Sequence, residues 1–186
     1  MEIEFETHFP NKNILYSVIK SLAIWQKPQT YLEIGVNEGE SIKYLLEDCN
    51  PKFMTLCDIW DTSYGGTGRG DHTHIEALLE KLKYKGDVEY LDGDSKILLP
   101  TIVGQLEYDL ILVDGDHSYN GAWMDLWNSW RMLKKGGIII IDDLLHREHQ
   151  YLADCADNFT KESGAKVLYS NLKQPHGVVV LQKNEL

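Results

Sequence analysis

The sequence predicts an α/β fold in which a seven-stranded, mostly parallel sheet with an antiparallel last strand lies between two helical layers, a three-layer sandwich. Three observations carry this expectation. Short apolar runs alternate with helix-patterned segments along most of the chain, the order that yields a parallel sheet. Two of the runs, Leu110–Val113 and Ile138–Ile141, are apolar at every position, as strands buried on both faces are. The last two strands are separated only by Ser170 to Gly177, with no helix between them, so they form a hairpin and the final strand runs against its neighbours.

The elements follow in order. Asn11 to Gln26 sets Ile14, Leu15, Val18, Ile19, Leu22 and Trp25 at helical spacing and stops at Pro28. Thr30–Ile34 reads as a strand, Gly35 to Gly39 as a tight turn, and Glu40–Asp48 as a helix closed by Asn50-Pro51. Phe53–Cys57 is the next strand and ends in Asp58. Asp61 to Asp71, with Gly65, Gly66, Gly68 and Gly70, is a loop. Ile75–Lys85 is helical, Val88–Leu91 a short strand, and Ser95–Gly104 a short helix with Ser95 as its N-cap. The Asp109–Val113 strand leads into a helix over Tyr119–Leu133, which Lys134-Lys135-Gly136-Gly137 closes with cations and a glycine. A strand over Gly136–Ile141, a helix over Arg147–Ser163 and strands over Lys166–Tyr169 and Val178–Leu181 complete the chain. No repeat, low-complexity tract or linker interrupts it. Residues 1–186 are therefore expected to form a single domain, with a leading segment and helix over 1–28 and a mobile glycine-rich loop over 62–73.

Composition narrows the function. A 186-residue chain with 43% hydrophobic and 25% charged residues suits one substantial globular core. A net charge of −11 without a Lys/Arg cluster argues against nucleic acid as a partner. Cys49, Cys57 and Cys155 are odd in number and lack CxxC spacing, which reads as reduced thiols. Met1 to Pro10 has no apolar signal core, and no run approaches the roughly 18 apolar residues of a membrane span. A cytoplasmic protein without a membrane partner is the expectation.

Chemistry concentrates at two strand ends. The apolar strand at Asp109 runs out into Asp114, Gly115, Asp116 and His117, and the Ile138 strand runs out into Asp142-Asp143. In open α/β sheets ligands bind beyond the carboxyl ends of the strands. If the two strands are neighbours, Asp114, Asp142 and Asp143 converge. Two like charges ~4 Å apart repel by ~4 kcal/mol at an effective dielectric of 20, so the three carboxylates either take up protons or bind a cation. Oxygen ligands with room for water favour Mg²⁺, with Mn²⁺ or Ca²⁺ as alternatives. The competing interpretation is that these aspartates only cap the following helices.

A third motif, Glu33-Ile34-Gly35-Val36-Asn37-Glu38-Gly39-Glu40-Ser41, lies between a strand and a helix, the context of a nucleotide-cradling turn. Gly35 lets the backbone turn towards a ligand, and Gly39 allows close helix–strand contact. A dinucleotide fingerprint would need glycine at Asn37. Together these motifs resemble the class I S-adenosylmethionine-dependent methyltransferases, a Rossmann-like fold, over nearly all of the chain from Thr30 to Lys183. The turn is similar to the ELGxxxGxS variant of motif I in the metal-dependent O-methyltransferases of the catechol and macrocin types. Asp142-Asp143 stands where the catechol type has Asp-Asn, so the likeness is closer to the macrocin-type sugar O-methyltransferases.

The resemblance implies S-adenosylmethionine as cofactor, held by Glu33, Gly35, Gly39, Ser41, Asp58, Ile59, Trp60, Gly93, Asp94, Ser95 and Asp114. Asp58 would take the ribose hydroxyls, for a carboxylate accepts two hydrogen bonds at once. Gly93-Asp94-Ser95 would contact adenine; Trp60 follows Asp58 closely enough to border the adenine, with packing in the core as the equal alternative. Asp114, Asp142 and Asp143 would hold the divalent metal, and His117 would be the general base that deprotonates the hydroxyl of a small-molecule acceptor, sugar or phenolic. The alternatives are a Rossmann-type NAD(P)-dependent oxidoreductase, against which Asn37 and the final hairpin speak, and a non-catalytic S-adenosylmethionine-binding domain. His146 and His149 read as a solvated helix start in preference to a second metal site. Trp123, Trp127 and Trp130 share one helix stripe, expected to be buried against the sheet or against a second copy in a homodimer. The loop from Thr62 to Thr73, which emerges beside Asp58, is expected either to close over the cofactor or to be a plain surface loop.

Overall fold

Each apolar run becomes a strand whose side chains alternate between two helical layers. The computed structural model describes residues 3, 14–60, 70–145, 151–173 and 176–184. In chain order the elements are α1 (Ile14–Gln26), β1 (Thr30–Ile34), α2 (Glu40–Asp48), β2 (Phe53–Asp58), α3 (His72–Lys81), β3 (Asp87–Asp92) and α4 (Ser95–Ile102). They continue with β4 (Tyr108–Val113), α5 (Tyr119–Met132), β5 (Leu133–Ile141), α6 (Tyr151–Ser163), β6 (Lys166–Asn171) and β7 (Val178–Gln182).

The strands form one seven-stranded sheet in the order β3-β2-β1-β4-β5-β7-β6. β3, β2, β1, β4 and β5 are mutually parallel, and β7 inserts antiparallel between β5 and β6. The order reverses at β1 and β4, the switch point where an open α/β sheet leaves a crevice beyond its carboxyl ends. One core packs α1, α2 and α3 on Tyr31, Met54, Leu56, Leu110, Leu112, Ile138 and Ile140. The other packs α4, α5 and α6 on Leu32, Ile34, Cys57, Ile111, Val113, Ile139 and Ile141. Neighbouring positions of one strand thus serve opposite layers, as the two-residue period of a strand dictates. At the amino ends, Asp109 ties three strands together. Its Oδ2 accepts from the backbone N–H of Gln29 (2.8 Å) and Thr30 (2.9 Å), and its Oδ1 accepts from Lys134 Nζ at 2.8 Å.

Several boundaries differ from expectation. α3 starts at His72, not Ile75, because Asp71 caps it by accepting from the His74 N–H at 2.6 Å. The expected 62–73 loop therefore ends before Asp71; 61–69 lie outside the described residues, as do His146 and His149. Asp94, not Ser95, is the N-cap of α4, accepting from the Lys96 N–H at 2.9 Å. Lys134-Lys135-Gly136-Gly137 does not cap the preceding helix, since α5 ends at Met132 with extended Leu133 as its C-cap. It lies within β5, which begins at Leu133, and left-handed Gly136 sits in the irregular stretch where the β4–β5 register shifts. Trp123, Trp127 and Trp130 close around Phe159 of α6, at ring-centroid separations of 6.5, 5.1 and 5.7 Å. The half-buried stripe thus packs on the core shared by α6 and the sheet.

Candidate active site at the carboxyl ends of the strands

The turn after β1 is shaped by glycine. Gly35 adopts φ 87°, and a Cβ there would meet the Asp114 carbonyl oxygen at 2.0 Å, so β1 and β4 approach closely only because no side chain intervenes. Asp114 N donates to Ile34 O at 2.9 Å across this contact. Gly70 is equally constrained, since a Cβ would come within 1.7 Å of Asn37 O. Gly39 is left-handed as well, but its missing Cβ makes room for Leu78 and Ile75 of α3, a helix contact in place of the expected strand contact.

Asp58, at the tip of β2, accepts on Oδ2 from the backbone N–H of Val36 (2.7 Å) and Asn37 (2.8 Å), and on Oδ1 from Trp60 N–H at 2.7 Å. The carboxylate thereby shapes the turn it faces. Glu33 is 1% exposed and sealed beneath that turn. It accepts from Tyr31 OH at 2.8 Å and from Ser41 Oγ. Burial pushes its carboxyl up to about 8, while the bonds from Ser41 and Tyr31 act in the opposite direction.

A cavity of ≈ 230 Å³ opens above these strand tips. Its walls bring together Gly35, Asp58, Ile59, Trp60, Gly93, Asp94, Ser95 and Asp114 from the expected cofactor set. Glu33, Gly39 and Ser41 of that set do not line it. Asn37, Gly70, Lys96 and Asp116 do, and were not among the expected binding residues. Lys96 Nζ donates to Asp116 Oδ2 at 2.5 Å, a pair that spans the cavity wall from α4 to the loop before α5. Asp116 itself fits because a Cβ at Gly121 would lie 2.1 Å from its carboxylate. Beneath Gly115 lies Asp125, which is fully buried and has its carboxyl pushed up to about 7 by that burial.

The aspartates at the tips of β4 and β5 are neighbours, because Val113 pairs with Ile141. One ligand atom each from Asp114, His117 and Asp143 lies within 4.8 Å of the others. His117 Nε2 is 3.4 Å from Asp114 Oδ1 and 3.9 Å from Asp143 Oδ2. Asp142 stands outside this set. It is 5% exposed, and its Oδ1 has no hydrogen-bond partner among the described residues. Two positions on from Ile140, it keeps to the α1–α3 side of the sheet, whereas Asp143 has a left-handed backbone (φ 55°) that breaks the alternation. Burial raises the pKa of Asp114 and Asp142, and for Asp142 the charges of Asp114 and Asp143 raise it further. The Asp114 hydrogen bond raises His117 against its own desolvation.

His176 was missed by sequence reasoning. Its Nδ1 is 2.5 Å from Asp143 Oδ1. Because β7 runs antiparallel to β5, the residues preceding it land beyond the β5 tip, where Leu145 N donates to His176 O at 2.6 Å and Leu144 N to Gly177 O at 3.1 Å. No local signal in the sequence marks this pairing.

The fold has many structural relatives. An O-methyltransferase family protein from Burkholderia thailandensis is 12% identical with a TM-score of 0.64, covering 91% of this chain, which spans 55% of that protein. The N-methyltransferase NodS from Bradyrhizobium japonicum, solved with S-adenosyl-L-homocysteine, is 14% identical with a TM-score of 0.64, over 90% of this chain and 85% of NodS. The O-methyltransferase TomG from Streptomyces achromogenes, solved with S-adenosylmethionine, is 16% identical with a TM-score of 0.65, over 90% of this chain and 78% of TomG. At such identities the likeness is one of fold. No curated protein matches in sequence. The family model described as "Methyltransferase domain" matches residues 32–144, which run from β1 through the β5 tip and so take in the glycine turn, Asp58, the cavity wall at Ser95 and the Asp114–Asp143 cluster. By that match over more than half its length, the chain belongs to the methyltransferase domain family.

Proposed function

We propose that this protein is an S-adenosylmethionine-dependent O-methyltransferase, assisted by a divalent cation, that acts on the hydroxyl of a small molecule, sugar or phenolic. The observation that carries the proposal is the placement of the Asp114–His117–Asp143 cluster at the same cavity as the Gly35 turn and Asp58. The lining also favours this cofactor electrostatically. Asp58, Asp94, Asp114, Asp116 and Asp143 face Lys96 and His117, an excess of negative charge that suits a sulfonium and an amino group and opposes the diphosphate of a nicotinamide dinucleotide.

The residues fit both the cofactor and the cation. The ≈ 230 Å³ cavity lined by Gly35, Asp58, Trp60 and Gly93–Ser95 suits the nucleoside end of the cofactor, and the buried, unpartnered Asp142 Oδ1 beside two further carboxylates suits a cation. When bound, the cofactor supplies an electrophilic methyl group and the cation polarises the acceptor oxygen. Asp58 and the Gly93–Ser95 segment hold the nucleoside end. Asp114 and Asp143 hold the cation, with Asp142 behind them. His117, oriented through Nε2 by Asp114, accepts the hydroxyl proton. An oxygen acceptor is supported because a hydroxyl needs such a base, whereas a neutral amine already carries its lone pair.

Titration calorimetry with S-adenosylhomocysteine tests the reading at its root. Saturable binding is expected for the wild type and at least tenfold weaker binding for Asp58→Ala, whose loss also frees the Val36 and Asn37 N–H groups. No binding by the wild type would remove the cofactor assignment. Titrating Mn²⁺ into the complex and into Asp143→Asn tests the cation separately, and equal binding by the two would remove Asp143 as a ligand.

A further inference from the structure

We propose that Asp92, a half-exposed carboxylate outside the cavity lining, is a positioning residue that fixes Trp60 as a wall of the cofactor site. The inference rests on the reading that this cavity binds the nucleoside end of the cofactor.

Trp60 is an unlikely residue to stand where it does. It lines the cavity two positions after Asp58, with a left-handed backbone at φ 55°. Bulky side chains avoid that conformation, and it persists only where surrounding contacts over-determine it. Two carboxylates from neighbouring strand tips do so. The Trp60 backbone N–H donates to Asp58 Oδ1 at 2.7 Å, and the indole Nε1–H donates to Asp92 Oδ1 at 2.8 Å. The first bond holds the main chain and the second sets the rotation of the ring. β2 and β3 pair in register with Asp58 opposite Asp92, so both acceptors are carried by the sheet.

The second oxygen of Asp92 is engaged too. His72 Nδ1 is 3.2 Å from Oδ2, and the imidazole stacks on Tyr90 with ring centroids 3.6 Å apart and planes at 28°. The other ring nitrogen, Nε2, lies 3.3 Å from Glu76 Oε1. Asp92 is therefore held from the α3 side while it holds Trp60 on the other. A carboxylate is suited to this task because its two oxygens accept in different directions, and indole offers only one donor. The consequence is a flat aromatic surface of set orientation beside Gly93, Asp94 and Ser95, where a planar base would stack without having to order the ring first.

A double-mutant cycle on S-adenosylhomocysteine affinity tests the idea, using Asp92→Ala and Trp60→Phe, the latter keeping an aromatic ring but losing the indole donor. Each single variant is expected to bind roughly tenfold more weakly, and the double variant no worse than either, because both remove one hydrogen bond. Asp92→Asn retains an acceptor oxygen and is expected to restore most of the affinity. Wild-type tryptophan emission should change on ligand binding, with the change lost in Trp60→Phe and diminished in Asp92→Ala. Additive losses, wild-type affinity in Asp92→Ala, or an Asp92→Asn variant as impaired as Asp92→Ala would each overturn the proposal. Absence of binding by the wild type would instead strike the cofactor reading beneath it.

Discussion

Glu33 shows how far a single residue's role depends on what surrounds it. As part of a glycine turn motif it reads as a cofactor ligand, yet its carboxyl is sealed from the cavity and spends its oxygens on Ser41 and Tyr31. Burial lifts its pKa from 4.5 to about 8. A folded-state value above the unfolded one means the native chain binds this proton more tightly. The stability it contributes is complete below about pH 4.5 and is lost as pH rises towards about 8. Glu33→Gln removes the titration while preserving shape. The wild-type unfolding free energy should fall relative to that of the variant between about pH 5 and 9, by on the order of 4 kcal/mol. Chemical denaturation across that range measures it, and parallel pH curves would show that the carboxyl ionises normally. The Asp142 and Asp143 pair makes the same point. The two are adjacent in sequence and equal in chemistry, but strand alternation buries one while a left-handed backbone turns the other towards His117.

At the scale of elements, the two ends of the parallel strands do different work. The carboxyl ends carry the site, and the amino ends are tied by Asp109 to β1 and to Lys134 of β5. Although burial works against it, the Lys134 ammonium and the N–H groups of Gln29 and Thr30 hold the Asp109 pKa below the ordinary carboxylate value. A depressed pKa gives stability that is present above the unfolded value and lost as pH falls through the folded one. Asp109→Asn should therefore cost about 1–3 kcal/mol at neutral pH, with the gap to wild type closing in strong acid. S-adenosylhomocysteine affinity should stay unchanged, because the substitution sits at the far end of β4 from the cavity. A coincident loss of affinity would mean that the two ends of the sheet are coupled. The elements themselves were legible because their signals are local. α2 runs over Glu40–Asp48 as its spacing predicts, whereas α3 began a turn early, since Asp71 in a glycine-rich stretch reads equally well as loop or cap.

Over the whole molecule, a chain of net charge −11 collects five aspartates around one cavity, and the ligand it takes should be the one that answers that field. A ligand that binds only the folded state raises stability by RT ln(1 + [L]/Kd), about 2.7 kcal/mol at a hundredfold excess over Kd. S-adenosylhomocysteine should accordingly raise the thermal midpoint and NADH should not. A shift with NADH alone would return the protein to the oxidoreductase class.

What the sequence determined by itself is the set of strands and helices, the antiparallel last strand, and the strand tips at which the chemistry stands. Apolar period and turn glycines act over a few residues, so they are readable without knowing what packs against them, whereas the caps at Asp71 and Asp94 depend on where the folded backbone turns. Tertiary structure alone decided that His176 meets Asp143, that Asp92 reaches Trp60, and that Glu33 turns inward while Lys96 and Asp116 join the cavity wall. The reason is physical. The His176–Asp143 and Asp92–Trp60 contacts join residues 33 and 32 positions apart, so the partner of a strand tip is chosen by the sheet order and by the direction in which β7 enters beside β5, while Glu33 turns inward because the layer packed over β1 closes around it.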